Sequence, residues 1–437
     1  MARPAHQWDT KVTNSMHIED VDDTGPATNY IPTIILDARE TERYVEELQK
    51  FDVKEVGSKL WMQQHKRLEQ LNLQAHENAI SNSDEYVLEA ILTFDKIEVL
   101  IHDLLLIEVW KESVYPLLLD ELAGRNSMRI YFILYHEATL INLLELFFYH
   151  KHLCEAGGDK VLEVVDFVAR KLARLNNPHY DFRMDGIEKK NTVNKDAKEY
   201  AASLESRTPK DELKDHFAEI DYRVCTSAVS ICRFICEHAD ALPLSVVSRI
   251  TDTHDLLILL VPLIENPPWT RRSNTGKWLK VIDHKWTEVK PIDLLKITKL
   301  EGQPWLSIYH LCAKEVFASK YHFNSFRKGQ LLRVRKYINE ILLDQLPFLA
   351  DIQRYMDELS MTEVPEPRSI DGGAGVFTMF QQVAVIRDRY THYTHYTHYT
   401  NYTNYTNYTN YTHSIYILLY AHVLQPFIYT YNIYFIS

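Results

Sequence analysis

Between Ile31 and Leu359 apolar residues return at three- and four-residue intervals in one segment after another, and this periodicity confines the chain to packed amphipathic helices. In ARETERYVEELQKFDV it aligns Tyr44, Val45, Leu48 and Phe51 on one stripe. SKLWMQQHKRLEQLNLQAHENAI follows a Gly57-Ser58 start signal and sets Leu60, Trp61, Leu68, Leu71 and Ala75 opposite a charged face. DEYVLEAILTFDKIEVLIHDLLLIEVWKESVYPLLLDEL is a long apolar run interrupted at Pro116. Its acids occur throughout, so it predicts a buried helix or helix pair and not a membrane span. RIYFILYHEATLINLLELFFYHKHLCE ends at the Gly157-Gly158 stop, and DKVLEVVDFVARKLARL ends before Pro178.

From Asn176 to Asp211 the chain is polar, which predicts a long exposed loop or a weak helix. The helical pattern resumes at ELKDHFAEIDYRVCTSAVSICRFICEHAD. PLSVVSRITDTHDLLILLVPLIENPPW predicts two short helices, the second closed by Pro267-Pro268. TGKWLKVIDHKWTEVKP alternates Trp278, Ile282, Trp286 and Val289 around a polar turn and is the one β-hairpin pattern. Helical segments return in LEGQPWLSIYHLCAKEVFASK and FRKGQLLRVRKYINEILLDQLPFLADIQRYMDEL. The expected fold is all-α: an irregular armadillo/HEAT-like helical stack with one β-hairpin insert and disordered termini, irregular because no clean sequence period runs through it.

Bulk properties narrow the function. Glycine is scarce, at 12 of 437 residues, which disfavours phosphate-cradling loops and turn-dense β folds. The net charge of -12 opposes general affinity for nucleic acid or an anionic bilayer. The five cysteines, Cys154, Cys225, Cys232, Cys236 and Cys312, are odd in number and form no CxxC, which reads as reduced thiols in a cytosolic compartment. The polar N-terminus has no apolar core of a secretory signal.

Chemistry-bearing fragments are few. His136-Glu137 begins an HExxH, but Leu140 stands where the second imidazole is required, so the pair is assigned to packing. His150, His152 and Cys154 crowd a helix end with no second ligand pair nearby in sequence. Cys225, Cys232 and Cys236 share a helical face and are assigned to the core. Arg327, Lys328, Arg333, Arg335 and Lys336, followed by Glu340 and Asp344, read as a solvated face with ion pairs. Trp269 with Arg271 and Arg272, behind a rigid Pro-Pro, is the candidate partner surface. The competing assignment is that Trp269 only closes the preceding helix. No GxGxxG, Walker A, GxSxG or paired-cysteine zinc motif occurs, so no catalytic residue, cofactor site or metal site is predicted and the chain is not expected to be an enzyme.

The expected organisation is a disordered extension over 1–30, a helical domain over 31–363, a linker over 364–389, a Thr-His-Tyr and Thr-Asn-Tyr repeat over 390–413 and an apolar tail over 414–437. Four origins compete for the repeat. Asn-Tyr-Thr is formally a glycosylation acceptor, His392, His395 and His398 offer weak metal ligands, and Tyr and Thr favour β-aggregation. The fourth, translated repetitive nucleotide sequence, is preferred, since His and Asn codons differ by one base. The tail IYILLYAHVLQPFIYTYNIYFI approaches a membrane span in length but carries His422, Gln425 and Pro426 and no basic flank. A spurious tail is preferred over an anchor, and a membrane role is not expected.

Five blocks in order, EVGSKLWMQQHKRLEQLNLQA, YHEATLINLLELFFYHKHLCE, HDLLILLVPLIENPPWTRR, LEGQPWLSIYHL and SFRKGQLLRVRKYINEILLDQLPFLADIQRYMDELSMTE, resemble the zinc finger MYND domain-containing protein ten family, from about Ile31 to Glu363. The resemblance implies a non-enzymatic, co-chaperone-like adaptor for pre-assembly of axonemal dynein arms in motile cilia. It implies as partners a leucine-rich-repeat dynein assembly factor, the Hsp90-type chaperone system and axonemal dynein chains. The implied location is the cytoplasm, with centrioles or the ciliary base as particular sites. The family ends in a MYND finger that binds zinc through cysteine pairs and a Cys/His cluster, whereas here no cysteine follows Cys312, so no zinc cofactor is expected. Client contacts are then expected to survive while binding of the leucine-rich-repeat partner weakens. The alternative is a general cytosolic helical scaffold for signalling or transcription.

Overall fold

The computed structural model describes residues 35–125, 128–180, 182, 208–273, 276–282 and 285–364. The N-terminal extension, the repeat, the apolar tail, the linker beyond residue 364 and most of the polar stretch after Asn176 lie outside the described residues. What is described is all-α apart from one small sheet. In chain order the helices are α1 (Ala38–Glu46), α2 (Lys59–Ile80), α3 (Tyr86–Thr93), α4 (Ile97–Val109), α5 (Tyr115–Arg125), α6 (Met128–Tyr149), α7 (Lys151–Gly157) and α8 (Val161–Leu175). They continue with α9 (Pro209–Glu237), α10 (Leu244–Ser248), α11 (Leu256–Glu265), α12 (Lys299–Ala313), α13 (Glu315–Ala318), α14 (Ser325–Val334), α15 (Glu340–Gln345) and α16 (Leu349–Met361).

Short polar side chains start these helices by accepting from otherwise orphaned N–H groups. Asp37 accepts from Glu40 N at 2.8 Å, Asn324 from Arg327 N at 2.8 Å and Asn339 from Leu342 N at 3.0 Å. Thr298 and Glu301 form a reciprocal capping box at the start of α12. Asn82, Asp95 and Asp255 take left-handed backbone conformations, with φ of 48°, 49° and 48°. Asn and Asp tolerate that region better than other non-glycine residues, and all three sit where one helix gives way to the next.

The long run over residues 84–122 therefore breaks at Asp95 and not at Pro116. Pro116 has no N–H to donate to a carbonyl one turn back, and the chain absorbs the loss in a π turn, Trp110–Val114, in which Tyr115 N reaches Trp110 O. The segment after Phe326 is likewise three helices with a short 3-10 turn between, cut at Asn339 and Pro347. The predicted hairpin is present as β2 (Trp278–Ile282) and β3 (Lys285–Val289). A third strand, β1 (Thr270–Arg272), joins it in the antiparallel order β1-β2-β3. Three residues are too few to show alternation, so this strand leaves no mark in the sequence.

α6 and α9 pack together at the centre; α6 also touches α2 and α4, and α9 also touches α8 and α12. This side-by-side packing is compatible with an irregular stack. Among the described residues α6 is long and apolar enough to cross a membrane by length and composition, and most of it is buried inside the protein.

α2 departs from its predicted face. Leu60, expected in the stripe, is 61% exposed, whereas Trp61, Leu68 and Leu71 are fully buried. Gln64, His65, Asn72, Gln74, His76 and Asn78, expected on the wet face, are buried as well. They stand in for backbone partners. Gln74 Oε1 accepts from Ile35 N at 2.7 Å and Leu36 N at 2.9 Å, and Gln64 exchanges bonds with the Gln49 backbone at 2.9 and 3.0 Å. A chain segment without its own ladder is thereby satisfied by a helix it crosses.

Leu68→Ala should destabilise the protein by about 2–5 kcal/mol in urea unfolding, the cost of a core cavity, while Leu60→Ala should change stability by less than about 0.5 kcal/mol. Equal costs would place Leu60 in the core.

Candidate interaction surface

Pro267 and Pro268 end α11, and a tight turn, Thr270 N to Pro267 O at 3.2 Å, swings the chain into β1. Trp269 lies in that turn with 1% of its surface exposed, and its carbonyl accepts from Val281 N at 2.9 Å. It pins the sheet to the body from below and is not at the surface. Arg271 and Arg272 point to opposite faces of β1, as the two-residue repeat of a strand demands. The Arg271 guanidinium lies 4.8 Å from the Trp286 ring centroid, and that ring in turn stacks on Tyr222. The exposed Arg272 lies 4.6 Å from the Trp278 ring. Of the three predicted surface residues, Arg272 alone is presented to solvent outright. On the Arg272 face Lys280 is buried, its ammonium donating to Leu294 O at 3.2 Å and Lys296 O at 2.7 Å and pairing with Glu301 at 2.7 Å. The sheet is thus fixed at Lys280 and open at its Arg272–Trp278 end.

The His136-Glu137 fragment goes into the core, as expected, but in two separate networks. His136 Nε2 is 3.1 Å from Asp103 Oδ2, which also accepts from Gln64 Nε2 at 3.1 Å. His136 Nδ1 is 2.9 Å from His65 Nδ1, and Trp61 packs against both imidazoles. Burial lowers the His136 pKa against the pull of Asp103. The neutral ring then donates from Nε2 to the carboxylate and accepts from His65. Glu137 instead meets Lys111 at 2.5 Å and Lys171 at 2.8 Å. Burial pushes its carboxyl upward, but the two ammonium groups outweigh that and hold it at about 2.

Lys171 also reaches Glu108 at 3.2 Å, and Glu108 takes Arg170 at 2.5 Å. One turn along α8, Arg174 bridges Glu112 and Asp221, the latter at 2.8 Å, and Tyr180 donates to Asp221 at 2.6 Å. Four cations (Lys111, Arg170, Lys171, Arg174) face four carboxylates (Glu108, Glu112, Glu137, Asp221), so the cluster is neutral as a whole. Sequence reasoning missed it. The available signal was charge inside apolar runs: Glu108, Lys111 and Glu112 in one, Arg170, Lys171 and Arg174 in another.

The remaining fragments do not converge. His150 pairs with Glu85 at 2.8 Å and His152 with Glu89 at 3.2 Å, while Cys154 is buried beneath them. Cys225, Cys232 and Cys236 are buried along α9, where burial raises the Cys225 thiol pKa and keeps it protonated. The arginines of α14 and the turn after it pair with acids from other elements and not with Glu340 or Asp344: Arg327 with Asp255 at 2.7 Å, Arg333 with Glu265, and Arg335 with Asp357 at 2.6 Å, while Lys328 donates to the Ser360 and Thr362 carbonyls. No three His, Cys, Asp or Glu among the described residues are grouped to hold a metal ion. All five cysteines are buried apart from any such group, so the residues present do not fit a cysteine-ligated zinc site.

His76 gives the clearest pH dependence. Its Nδ1 donates to Asn72 O at 2.9 Å, and burial lowers its pKa from 6.5 to about 4. Burial and nearby Arg233 lower His310 to about 3. Both bind protons more readily when unfolded, so the stability they contribute is full above pH 6.5 and falls as pH drops toward 4 and 3. For His76 the loss should be on the order of 3 kcal/mol. Urea unfolding across this window should show the decline, and His76→Gln should flatten it; an unchanged slope would place His76 in water.

Neither a protein-family model nor a solved structure matches the chain. Over 320 residues it is 30% identical to the zinc finger MYND domain-containing protein 10 homolog of Drosophila melanogaster, an alignment that covers 73% of this chain and 67% of that protein. At that identity and coverage, the chain belongs to the zinc finger MYND domain-containing protein 10 family.

Proposed function

We propose that the protein is a non-enzymatic adaptor that holds other polypeptides during cytoplasmic pre-assembly of axonemal dynein arms. Membership of the family supports this reading, together with what the five-block sequence resemblance implies. The core supports it, because the side chains best suited to chemistry, His136, Glu137, Lys171, Asp221 and Cys225, are buried. The charged ones are neutralised by one another, which leaves no reactive group facing a substrate cleft there. A rigid helical body of this kind works by presenting surface, with a few anchoring side chains supplying most of the affinity.

The partners in this proposal are axonemal dynein chains as clients, the Hsp90-type chaperone system, and a leucine-rich-repeat dynein assembly factor. The site of action is the cytoplasm, toward the ciliary base. The proposal assigns no zinc to the residues present, since the five buried thiols of this sequence do not fit a cysteine-ligated site. Contact with clients then rests on the helical body, and contact with the leucine-rich-repeat factor, if it needs a zinc finger, is weak.

Tagged protein purified from ciliated cells during arm assembly should carry axonemal dynein chains well above the level seen with an unrelated helical protein. Recovery of the leucine-rich-repeat factor should be weaker than that of the dynein chains. Dynein chains at background would contradict the adaptor role, and strong recovery of the leucine-rich-repeat factor would contradict its dependence on zinc.

A further inference from the structure

The open end of the small sheet has the makings of a selective docking surface. Cross-strand register sets Arg272, Trp278 and Val289 side by side in one row, Arg272 opposite Trp278 and Trp278 opposite Val289. Residues directly opposite on neighbouring strands face the same side, so the row is a cation lying against an indole, with a β-branched side chain beside it. Lys290 follows immediately and is exposed.

The 3-10 turn Pro291–Leu295 packs onto β2, held by the Lys280 ammonium at the Leu294 carbonyl. Ile292 and Leu295 of that turn are 77% and 49% exposed. Gln345 Nε2 donates to both Leu295 O and Ile341 O, at 2.9 Å each, which brings the 48%-exposed Ile341 to the same surface. Large aliphatic groups in water are ordinary when scattered, but Ile292 and Leu295 share one turn on β2 and Gln345 ties the Ile341 backbone to it, near the half-buried Trp278, a grouping that favours contact.

Charge decides what the patch fits. Residues 270–299 contain eight Lys and Arg (Arg271, Arg272, Lys277, Lys280, Lys285, Lys290, Lys296, Lys299) against three acids (Asp283, Glu288, Asp293), in a chain whose net charge is -12. The described acids are already engaged: Glu288 with Lys277 at 2.8 Å and Asp293 with Lys296 at 3.0 Å. Arg272, Lys285 and Lys290 have no carboxylate partner among the described residues. The local field is therefore positive, and the cations stand ready for carboxylates from outside.

We propose that the Arg272–Trp278–Val289 row, with Lys290 and the Ile292–Leu295–Ile341 patch, docks an acidic segment of a partner polypeptide that carries bulky aliphatic residues. This deepens the adaptor assignment and rests on it. A nucleic acid would meet the same cations but would leave the three aliphatic side chains without apolar partners, so the mixed surface favours a protein segment.

Fluorescence anisotropy of the full chain with two labelled fifteen-residue peptides tests this, one of Glu and Leu and the other with Lys replacing every Glu. The Glu/Leu peptide should bind and the Lys/Leu peptide should not. A single-stranded oligonucleotide of matching charge should bind at least about tenfold more weakly. Arg272→Glu with Lys290→Glu should weaken the Glu/Leu peptide about tenfold, and Ile292→Asp should do the same, with unfolding midpoints unchanged because all three side chains lie at the surface. Lys66→Glu with Lys151→Glu, two exposed lysines on α2 and α7, changes net charge equally and should leave binding intact. Equal loss in that control, no loss in the sheet variants, or preference for the oligonucleotide would overturn the proposal. Dynein chains recovered normally despite such a result would leave the adaptor role standing.

Discussion

The packing of α4, α6, α8 and α9 depends on ion pairs most of which lie out of reach of water. Taking one charge into a protein interior costs several kcal/mol, and the cost is offset only if an opposite charge meets it with good geometry. Here that condition holds across five elements at once. Glu108 comes from α4, Lys111 and Glu112 from the π turn, Glu137 from α6, the Arg170-Lys171-Arg174 group from α8, and Asp221 from α9. Apolar packing alone is tolerant of rotation and slippage between helices. A neutral cluster of fixed pairs is not, since a helix turned by one residue would strand a charge. The cluster accordingly acts as a registration device at the point where the most buried helices meet.

The π turn belongs to the same device. Without Pro116 the run through Trp110 could continue as a regular helix, and Lys111 and Glu112 would point elsewhere. The wide turn forced by the missing N–H places Lys111 on Glu137 and Glu112 on Arg174. A residue that reads in sequence as an interruption is, in the folded chain, what sets the direction of two of the eight charges.

The fold class was legible because helical periodicity survives over many segments, and the hairpin because Trp278 and Ile282 are answered by Trp286 and Val289 across a polar turn. What failed was the assignment of polar residues to solvent. Gln64, Gln74 and His76 lie on the expected wet face of α2 yet are buried, since a neighbouring segment uses them as hydrogen-bond partners, and one-dimensional pattern does not register a crossing chain. Trp269 misled for the related reason that Pro-Pro before a Trp marks a rigid turn without saying which side of the turn faces water. The open row beside it was out of reach because it needs cross-strand register, and β1 is only three residues long. In the proposed adaptor role, surface charge and shape are the means of engaging other polypeptides, because the core's charged groups are spent on one another.

The registration claim is tested most directly by comparing Glu137→Gln with the triple replacement Glu137→Leu, Lys111→Met and Lys171→Met in urea unfolding. Removal of one carboxylate strands the buried Lys111 ammonium and leaves Lys171 with Glu108 alone, and should cost about 3–5 kcal/mol, whereas removal of all three charges should restore most of that stability. A single replacement costing less than about 1 kcal/mol would contradict the account, because it would mean that these helices are held in register by apolar contact and that the buried charges are incidental.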